Sequence, residues 1–277
     1  MLGFWLLGHA AQAQPVFDIP QNTASVPLSH ELEYFIDETG EWQPDSGEPA
    51  PGTWRKLRDR AGKGNFGFLR HPVWFRVVLR SPDASEWVWV VSTPQLEWVT
   101  WVLQRAGRPS ERSDGGLGSL QHMQPPLQRL PEVTLSLAAN EPVMVHMRVQ
   151  SSGLMQVPTD LWAPSVWRER ERRSHALLGA YFGLVGALLA YNGFLALRLR
   201  DQAYGYYIGF GLSLGAFQCG STGFGPSLVW AFNPLWTYPI LNLSLTLMGG
   251  FALLFTDSFL RMPRVNPRLS VMLRVTT

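Results

Sequence analysis

The sequence predicts an all-β jelly-roll or β-sandwich domain, expected to be extracellular, followed by α-helical transmembrane segments. Two patterns predict this: short alternating apolar runs between turns in the first 165 residues, and long uncharged apolar runs after residue 175. Composition agrees, because only 16% of the 277 residues are charged, below the roughly 25% of a soluble domain. We therefore expect part of the chain to lie in lipid.

The β-domain is expected to span residues 14–165. In the run VWFRVVLR, residues 73–80, four apolar side chains alternate with a mixed set on the opposite face. The apolar face consists of Val73, Phe75, Val77 and Leu79. Further β-rich runs at 86–92, 96–104, 133–137 and 143–149 are separated by turn residues. Short strands with frequent turns favour a β-sandwich of jelly-roll type.

Three uncharged segments predict helices at about 176–197, 204–224 and 239–260. At about 1.5 Å per residue the first spans about 33 Å, enough to cross the hydrocarbon core of a bilayer. We therefore expect residues 176–277 to form the membrane part of the chain. The charged run Arg168–Arg173 is interpreted as a solvated helical turn ahead of the membrane.

The N-terminus and the arginine distribution predict the orientation. Residues 1–13 resemble a signal peptide, with the apolar run Leu2–Leu7 and Ala11-Gln12-Ala13 before a cleavage site, although a basic region is missing. An uncleaved apolar tail is the alternative. With three spans, six arginines lie on the side of the chain's end and four on the side of the β-domain. We therefore expect a periplasmic β-domain and helices in a bacterial inner membrane.

Several function classes are disfavoured by the composition. The net charge is only +2 and no basic patch is interleaved with aromatics, so nucleic acid is excluded as a partner. Cys219 is the single cysteine, so no intramolecular disulfide can form. No catalytic set, metal site or cofactor motif is found, and an enzyme is not expected. His146 shares a polar strand face with Arg148 and is predicted to lie at the surface.

The candidate ligand site is the mixed face of the 73–80 strand. Trp74, Arg76 and Arg80 lie opposite the apolar face, so an outward tryptophan flanked by guanidinium groups could stack on and bond a sugar or uronic acid. The alternative is that a loop or the helices cover this face. Most of the other tryptophans of the central strands are assigned to the core.

Polar and small residues in the helices predict packing contacts. Asn192, Gln218 and Asn242 would each leave an amide unsatisfied against lipid, so we expect them to face neighbouring helices. Three glycine pairs are spaced by four, which allows close backbone approach: Gly179 and Gly183, Gly205 and Gly209, and Gly211 and Gly215.

Three stretches carry a resemblance to a known family: VWFRVVL, VMVHMRVQSSGLMQVPTDLW and GAYFGLVGALLAYNGFLALRLRDQAYGYYIGF. They resemble bacterial seven-transmembrane receptors with diverse intracellular signalling modules. The N-terminal part looks like their type 2 extracellular domain, a jelly roll similar to carbohydrate-binding modules. The resemblance implies four further helices and an output module, such as a cyclase, kinase or phosphatase, beyond Thr277.

Two functions stay open at this point. The first is a sensor that binds a ligand outside the membrane and couples it to the helical bundle. The second is a membrane-anchored carbohydrate-binding or adhesion module without signalling. The partners considered for both are membrane lipid, a carbohydrate or other small molecule, and a second copy of the chain.

Overall fold

A computed structural model of the chain describes residues 15–47, 49–50, 52–60, 64–119 and 128–260. Within these ranges the chain forms thirteen β-strands followed by three α-helices. The predicted signal peptide and the four arginines after Leu260 lie outside the described residues. In chain order, strands β1 to β13 are Val16–Asp18, Ser25–Pro27, Glu33–Ile36, Arg55–Lys56, Asn65–Gly67, Val73–Arg80, Ser85–Val91, Trp98–Gln104, Glu111–Gly115, Glu132–Leu137, Val143–Gln150, Met155–Gln156 and Thr159–Trp162.

Two sheets form the predicted β-sandwich. The larger sheet has seven strands in the order β4-β3-β6-β11-β8-β9, and β1 pairs in parallel with the second half of β6. The smaller sheet has the order β10-β7-β13-β2, and β5 pairs with β12 in a separate ribbon. The central pair, β6 and β11, is antiparallel and in register from Val73 opposite Val149 to Leu79 opposite Val143.

One cluster of buried side chains lies between the sheets. From β6 it takes the face predicted to be apolar, which consists of Val73, Phe75, Val77 and Leu79. From β7 it takes Trp87 and Trp89, and the Nε1 of Trp89 donates a hydrogen bond to Thr159 Oγ1 of β13. Fully burying side chains of this size contributes about 1.5–3 kcal/mol each, so this cluster is the main source of the sandwich's stability.

The loop between β3 and β4 folds over the outer face of the larger sheet. Asp37 begins this fold, because its carboxylate accepts hydrogen bonds from the backbone N–H groups of Gly40 at 2.9 Å and Trp42 at 3.1 Å. Trp42 and Trp54 then pack edge-on against Phe35, with ring centroids 5.1 and 4.7 Å away. We call these three rings the aromatic cap.

The helices follow the last strand directly. They are α1, Pro164–Leu199; α2, Gln202–Ser221; and α3, Thr237–Phe259. Short 3-10 turns occur at Pro44–Ser46, Leu57–Asp59 and Pro234–Trp236, and a π-helical turn occurs at Gly225–Val229. Helix α1 begins well before the predicted residue 176, because Pro164 starts it and the charged run 168–173 continues it.

Two helical stretches, Pro164–Leu199 and Pro234–Phe259, are long and apolar enough to cross a membrane. Helix α2 has 20 residues, none of them charged, and it packs against both α1 and α3. The turn between α1 and α2 is short: Arg200 adopts a left-handed conformation with φ 51°, and Asp201 caps α2 by accepting from Ala203 N at 2.9 Å.

Candidate functional site

Trp74 lies on the outer face of the larger sheet, yet it does not reach solvent. Only 1% of its surface is accessible, because the Trp42 ring of the aromatic cap packs edge-on against it with centroids 4.8 Å apart. Its Nε1 has no hydrogen-bond partner among the described residues. The prediction that Trp74 is an open stacking surface is therefore wrong, and the alternative of a covering loop describes this face.

Arg76 and His146, paired across β6 and β11, lie under the same cap. Arg76 Nε donates to Glu33 Oε2 at 2.9 Å, and its guanidinium carbon lies 4.2 Å from the centre of the Trp54 ring. His146 is only 3% exposed, so its prediction as a surface residue is wrong. Burial lowers the pKa of His146 to about 4, and the charge of Arg76 adds to this effect.

Arg80 lies at the far end of β6 and is already paired. Its Nε and Nη2 donate to the two carboxylate oxygens of Asp18 on β1, at 2.5 and 2.9 Å. These bonds from Arg80 lower the pKa of Asp18. The three predicted ligand residues, Trp74, Arg76 and Arg80, therefore do not form one open site.

An open groove lies beside the aromatic cap, on the same outer face. Its volume is about 490 Å³, and strands β8, β9 and β11 contribute most of its lining. Arg148, Thr100 and Asp114 cross these three strands in register, and Thr100 Oγ1 donates to Asp114 Oδ1 at 2.6 Å. In the next row on this face, Gln150 stands opposite Trp98. We call this surface the ligand groove.

Trp98 presents an aromatic ring at one end of the ligand groove. Its accessible fraction is 42%, in contrast to the buried Trp74 on the same face. The ring lies directly on the backbone at Gly118, where an added Cβ would lie 2.4 Å from the Trp98 ring. Position 118 therefore requires a glycine, and the contact with its backbone holds the Trp98 ring in place.

Two guanidinium groups and one carboxylate set the charge of the groove. Arg112 Nε donates to Asp114 Oδ1 at 3.3 Å, and Arg148 Nη2 donates to Gln150 Oε1 at 2.7 Å. Partial burial lowers the pKa of Arg148; Asp37 opposes this shift and the nearby charge of Arg112 adds to it. The lining therefore carries a net positive charge beside an aromatic face, which suits an acidic, hydroxyl-rich ligand.

The strands that line the groove continue into contacts with the helices. Gln95 lies just before β8, and its Nε2 donates to the backbone oxygen of Ser221 at the end of α2, at 2.9 Å. The Tyr238 hydroxyl, in the first turn of α3, donates to Gln95 O at 2.6 Å. It also lies 2.7 Å from the hydroxyl of Ser151, which directly follows β11.

A second set of contacts holds α1 against the sandwich. Arg129 binds both carboxylate oxygens of Glu171 at 3.1 Å and donates to the backbone oxygen of Thr222 at 3.0 Å. One turn earlier in α1, Trp167 Nε1 donates to Glu132 Oε2 of β10 at 2.6 Å. Burial raises the pKa of Glu132, and the bond from Trp167 opposes that rise. The sandwich, α1 and the end of α2 thus meet at Arg129.

The predicted polar helix residues occupy different environments. Asn192 lines a cavity of about 300 Å³ with residues of α2 and α3, and its amide donates to Leu188 O within α1 at 2.8 Å. Gln218 is half-buried near the end of α2, where its side-chain oxygen lies 3.5 Å from Ser221 Oγ. Asn242 is exposed on α3, so among the described residues it does not face a neighbouring helix as predicted.

Among the described residues, the close approach predicted at Gly179 and Gly183 does not occur. No described atom would lie within 4 Å of a Cβ added at either residue, apart from their own helix. Of the glycines predicted to allow close approach in α2, Gly209 and Gly211 do so, whereas no described atom is close at Gly205 and Gly215. An added Cβ would lie 2.7 Å from the Phe251 ring at Gly209 and 2.5 Å from Leu189 Cδ2 at Gly211. The small-residue pattern alone does not say which face of a helix meets its neighbour.

Two family models match the chain. The model for 7TMR-DISM extracellular 2 matches residues 29–163, and that for 7TM diverse intracellular signalling matches residues 174–277. The chain belongs to the 7TMR-DISM receptor family. Its sandwich is the family's extracellular domain, and its helices belong to the family's membrane region, so the resemblance seen in the sequence is confirmed. Both models describe parts of a membrane receptor, an extracellular domain and a 7TM region.

No curated protein matches the chain. Among solved structures, a β-glucosidase from Kluyveromyces marxianus in complex with glucose is similar at 10% identity and a TM-score of 0.26, covering 47% of this chain and 16% of that one. An exo-β-1,3-galactanase from Phanerochaete chrysosporium with galactose is similar at 14% identity and a TM-score of 0.25, covering 50% and 28%. Scores this low support no conclusion about this chain.

Proposed function

We propose that this chain is the sensory portion of a bacterial receptor, with the sandwich in the periplasm and the helices in the inner membrane. In this proposal the ligand groove binds a carbohydrate that carries an acidic group, and binding changes how the sandwich contacts the helices. Family membership supports a membrane sensor. The choice of groove, ligand and orientation rests on the contacts described above.

The chemistry of the groove supports an acidic sugar. The exposed face of Trp98 suits the apolar C–H surface of a sugar ring. Arg112 and Arg148 offer several N–H donors in fixed directions, and together they exceed the charge of Asp114. A neutral sugar could use the same ring, but it would leave the surplus positive charge uncompensated.

The observation that carries the sensor proposal is that two short segments reach both the groove and the helices. Residues 95–98 run from the Gln95 contacts with α2 and α3 to the Trp98 ring. Residues 150–152 run from the groove to the contact between Ser151 and Tyr238. A ligand that favours one arrangement of these segments therefore biases the helix contacts as well.

The direct test is a glycan array probed with the detergent-solubilised 277-residue chain. We expect binding to uronic-acid-containing glycans, and we expect Trp98→Ala to weaken it by about fivefold to tenfold, because an aromatic contact contributes about 1–1.4 kcal/mol. Phe68→Ala is the matched control, since Phe68 is 82% exposed and does not line the groove. Equal binding by wild type and a folded Trp98→Ala variant would show that the ligand binds elsewhere.

The alternative, an anchored binding or adhesion module, differs only in the coupling. Hydrogen–deuterium exchange at residues 221–238 with and without the glycan distinguishes the two. A sensor changes its exchange there on binding, whereas a module without signalling changes only in the groove. Tyr238→Phe, which removes the hydroxyl bonded to Gln95 and near Ser151, should weaken the ligand-dependent change while leaving glycan binding within about twofold.

A further inference from the structure

A second groove lies where α1 leaves the sandwich. Its volume is about 600 Å³, and it lies on the outer side of the junction, away from the ligand groove. Its lining consists of Trp162 at the end of β13 and of α1 side chains that include Val166, Glu169, Arg170, Arg173 and Leu177. We call it the juxtamembrane groove, and nothing in the proposed sensing function uses it.

The α1 residues of this groove lie on one face of the helix. They are spaced by three or four, so Val166, Arg170, Arg173 and Leu177 follow each other along the axis. The same face continues into the apolar part of α1 with Tyr181, Leu184 and Leu188, all of them exposed. A cationic surface therefore passes without interruption into an apolar one.

The height of the groove matches the headgroup layer of a bilayer. The uncharged stretch of α1 begins at Ala176, which places the hydrocarbon boundary close to that residue. At about 1.5 Å per residue, Arg173 lies about 4.5 Å and Arg170 about 9 Å above Ala176. The headgroup layer is about 5–7 Å thick on each side, so Arg173 lies within it and the long side chain of Arg170 reaches it from just above.

The charges around the groove leave positive charge in excess. Glu169 pairs with Arg173 at 2.6 Å and with Arg172 at 2.8 Å, so one carboxylate serves two guanidiniums. Arg170 lies over the Trp162 ring, 4.9 Å from its centre. Asp160 is an acidic neighbour of Arg170. Burial raises the pKa of Asp160, and the Arg170 charge opposes that rise. Arg168 adds a further exposed cation on the same stretch of helix.

We infer that the juxtamembrane groove binds the headgroup of an anionic phospholipid in the leaflet facing the sandwich. The phosphate lies between Arg170 and Arg173, the ring of Trp162 borders the headgroup, and an acyl chain follows Leu177 and Leu184 into the membrane. This binding fixes the height of the sandwich above the bilayer. It also accounts for Arg170 and Arg173, two of the four arginines near the start of α1 that the positive-inside rule would place on the opposite side.

Native mass spectrometry of the 277-residue chain, titrated with defined lipids, tests this inference. We expect phosphatidylglycerol to bind at least about tenfold more tightly than phosphatidylcholine, since each arginine near an anionic headgroup contributes about 1 kcal/mol. Arg170→Gln with Arg173→Gln should reduce the affinity for phosphatidylglycerol to that of phosphatidylcholine. Glycerol phosphate, which lacks acyl chains, should compete only weakly.

The matched control is Arg168→Gln with Arg172→Gln, which removes the same charge from the same helix segment but outside the groove. This variant should keep its preference for phosphatidylglycerol within about twofold. Equal loss in both double variants would show that only the overall charge attracts lipid. Equal binding of the two lipids, or strong competition by glycerol phosphate, would also overturn the inference, the latter by showing a site for soluble phosphates.

Discussion

Trp74 and Trp98 lie on the same face of the same sheet, but only Trp98 reaches solvent. The difference arises from the loop that Asp37 folds back over β3 and β6, which brings Trp42 onto Trp74 and stops short of Trp98. Strand alternation assigns both side chains to the outer face. It cannot predict the covering loop, because the loop has no periodicity and its contacts form only in the folded sandwich.

His146 provides a prediction at this scale. Its pKa falls from an ordinary 6.5 to about 4 because burial and Arg76 disfavour the imidazolium, while Asp45 opposes them. The folded state therefore resists protonation. Above about pH 6.5, His146 does not lower the free energy of unfolding. As the pH falls from 6.5 towards 4, the free energy of unfolding falls by up to about 1.4 kcal/mol per pH unit.

The measurement is thermal unfolding of the detergent-solubilised chain between pH 7.5 and pH 4.5, followed by tryptophan fluorescence. His146→Phe keeps an aromatic ring near Trp42 and Trp54 but cannot be protonated. It should show a smaller fall in melting temperature over this range than the wild type. The prediction fails if both proteins lose the same stability on acidification.

At the scale of elements, the alternation of β6, β7 and β11 predicts the sandwich core well. Val73, Trp89 and Met147 all lie between the sheets, because a half-buried strand must place every second side chain inward. The helices were predicted less completely. The uncharged run predicts that the first span begins at residue 176. Helix α1 begins earlier, at Pro164, because the charged residues 168–173 also form helix outside the membrane.

Gly209 in α2 tests the packing of the helices. An added Cβ would lie 2.7 Å from Cδ1 of Phe251 in α3, so Gly209→Ala should force the two helices apart. We expect a lower melting temperature in detergent, even though alanine favours a helix over glycine by about 1 kcal/mol. Gly179→Ala is the matched control, because no described residue outside its own helix is close, and it should be neutral or stabilising. Equal effects of both substitutions would contradict this packing.

At the scale of the whole molecule, Arg129 connects the sandwich to α1 and α2. Arg129→Met leaves the half-buried Glu171 carboxylate without its bidentate partner and the Thr222 carbonyl without a donor. We expect a loss of about 2 kcal/mol at this junction and faster hydrogen exchange at residues 222–229. Arg58→Met, at an exposed arginine of the sandwich, should leave that exchange unchanged.

A double variant distinguishes loss of the ion pair between Arg129 and Glu171 from loss of side-chain packing. Arg129→Met with Glu171→Met replaces both charges by apolar side chains, which avoids a lone buried carboxylate. It should therefore be more stable than Arg129→Met alone. If the double variant is as unstable as the sum of the single variants, the two side chains do not interact as the structure indicates.

The orientation of the molecule is tested by reporter fusions. A reporter active only in the periplasm should be active when fused after Gln150 and inactive when fused after Asp201, because α1 then lies between them and the second site faces the cytoplasm. The reverse result would contradict a periplasmic sandwich. The sequence predicted this arrangement from arginine counts, some of which lie in residues outside the described structure.

Helix α1 is attached to the sandwich at Trp167 and Glu171, two positions four residues apart on one side of the helix. Two attachments on one side fix the rotation of the helix about its axis relative to the sandwich. If the sandwich reorients, α1 therefore turns with it about that axis. In the proposed receptor, this unbroken helix of 36 residues would carry that rotation into the bilayer. With side chains about 5–6 Å from the axis, a turn of about 20° displaces them by about 2 Å. Such a displacement would shift Leu189 relative to Gly211, so the rotation of α1 about its axis sets the contact between the first two helices.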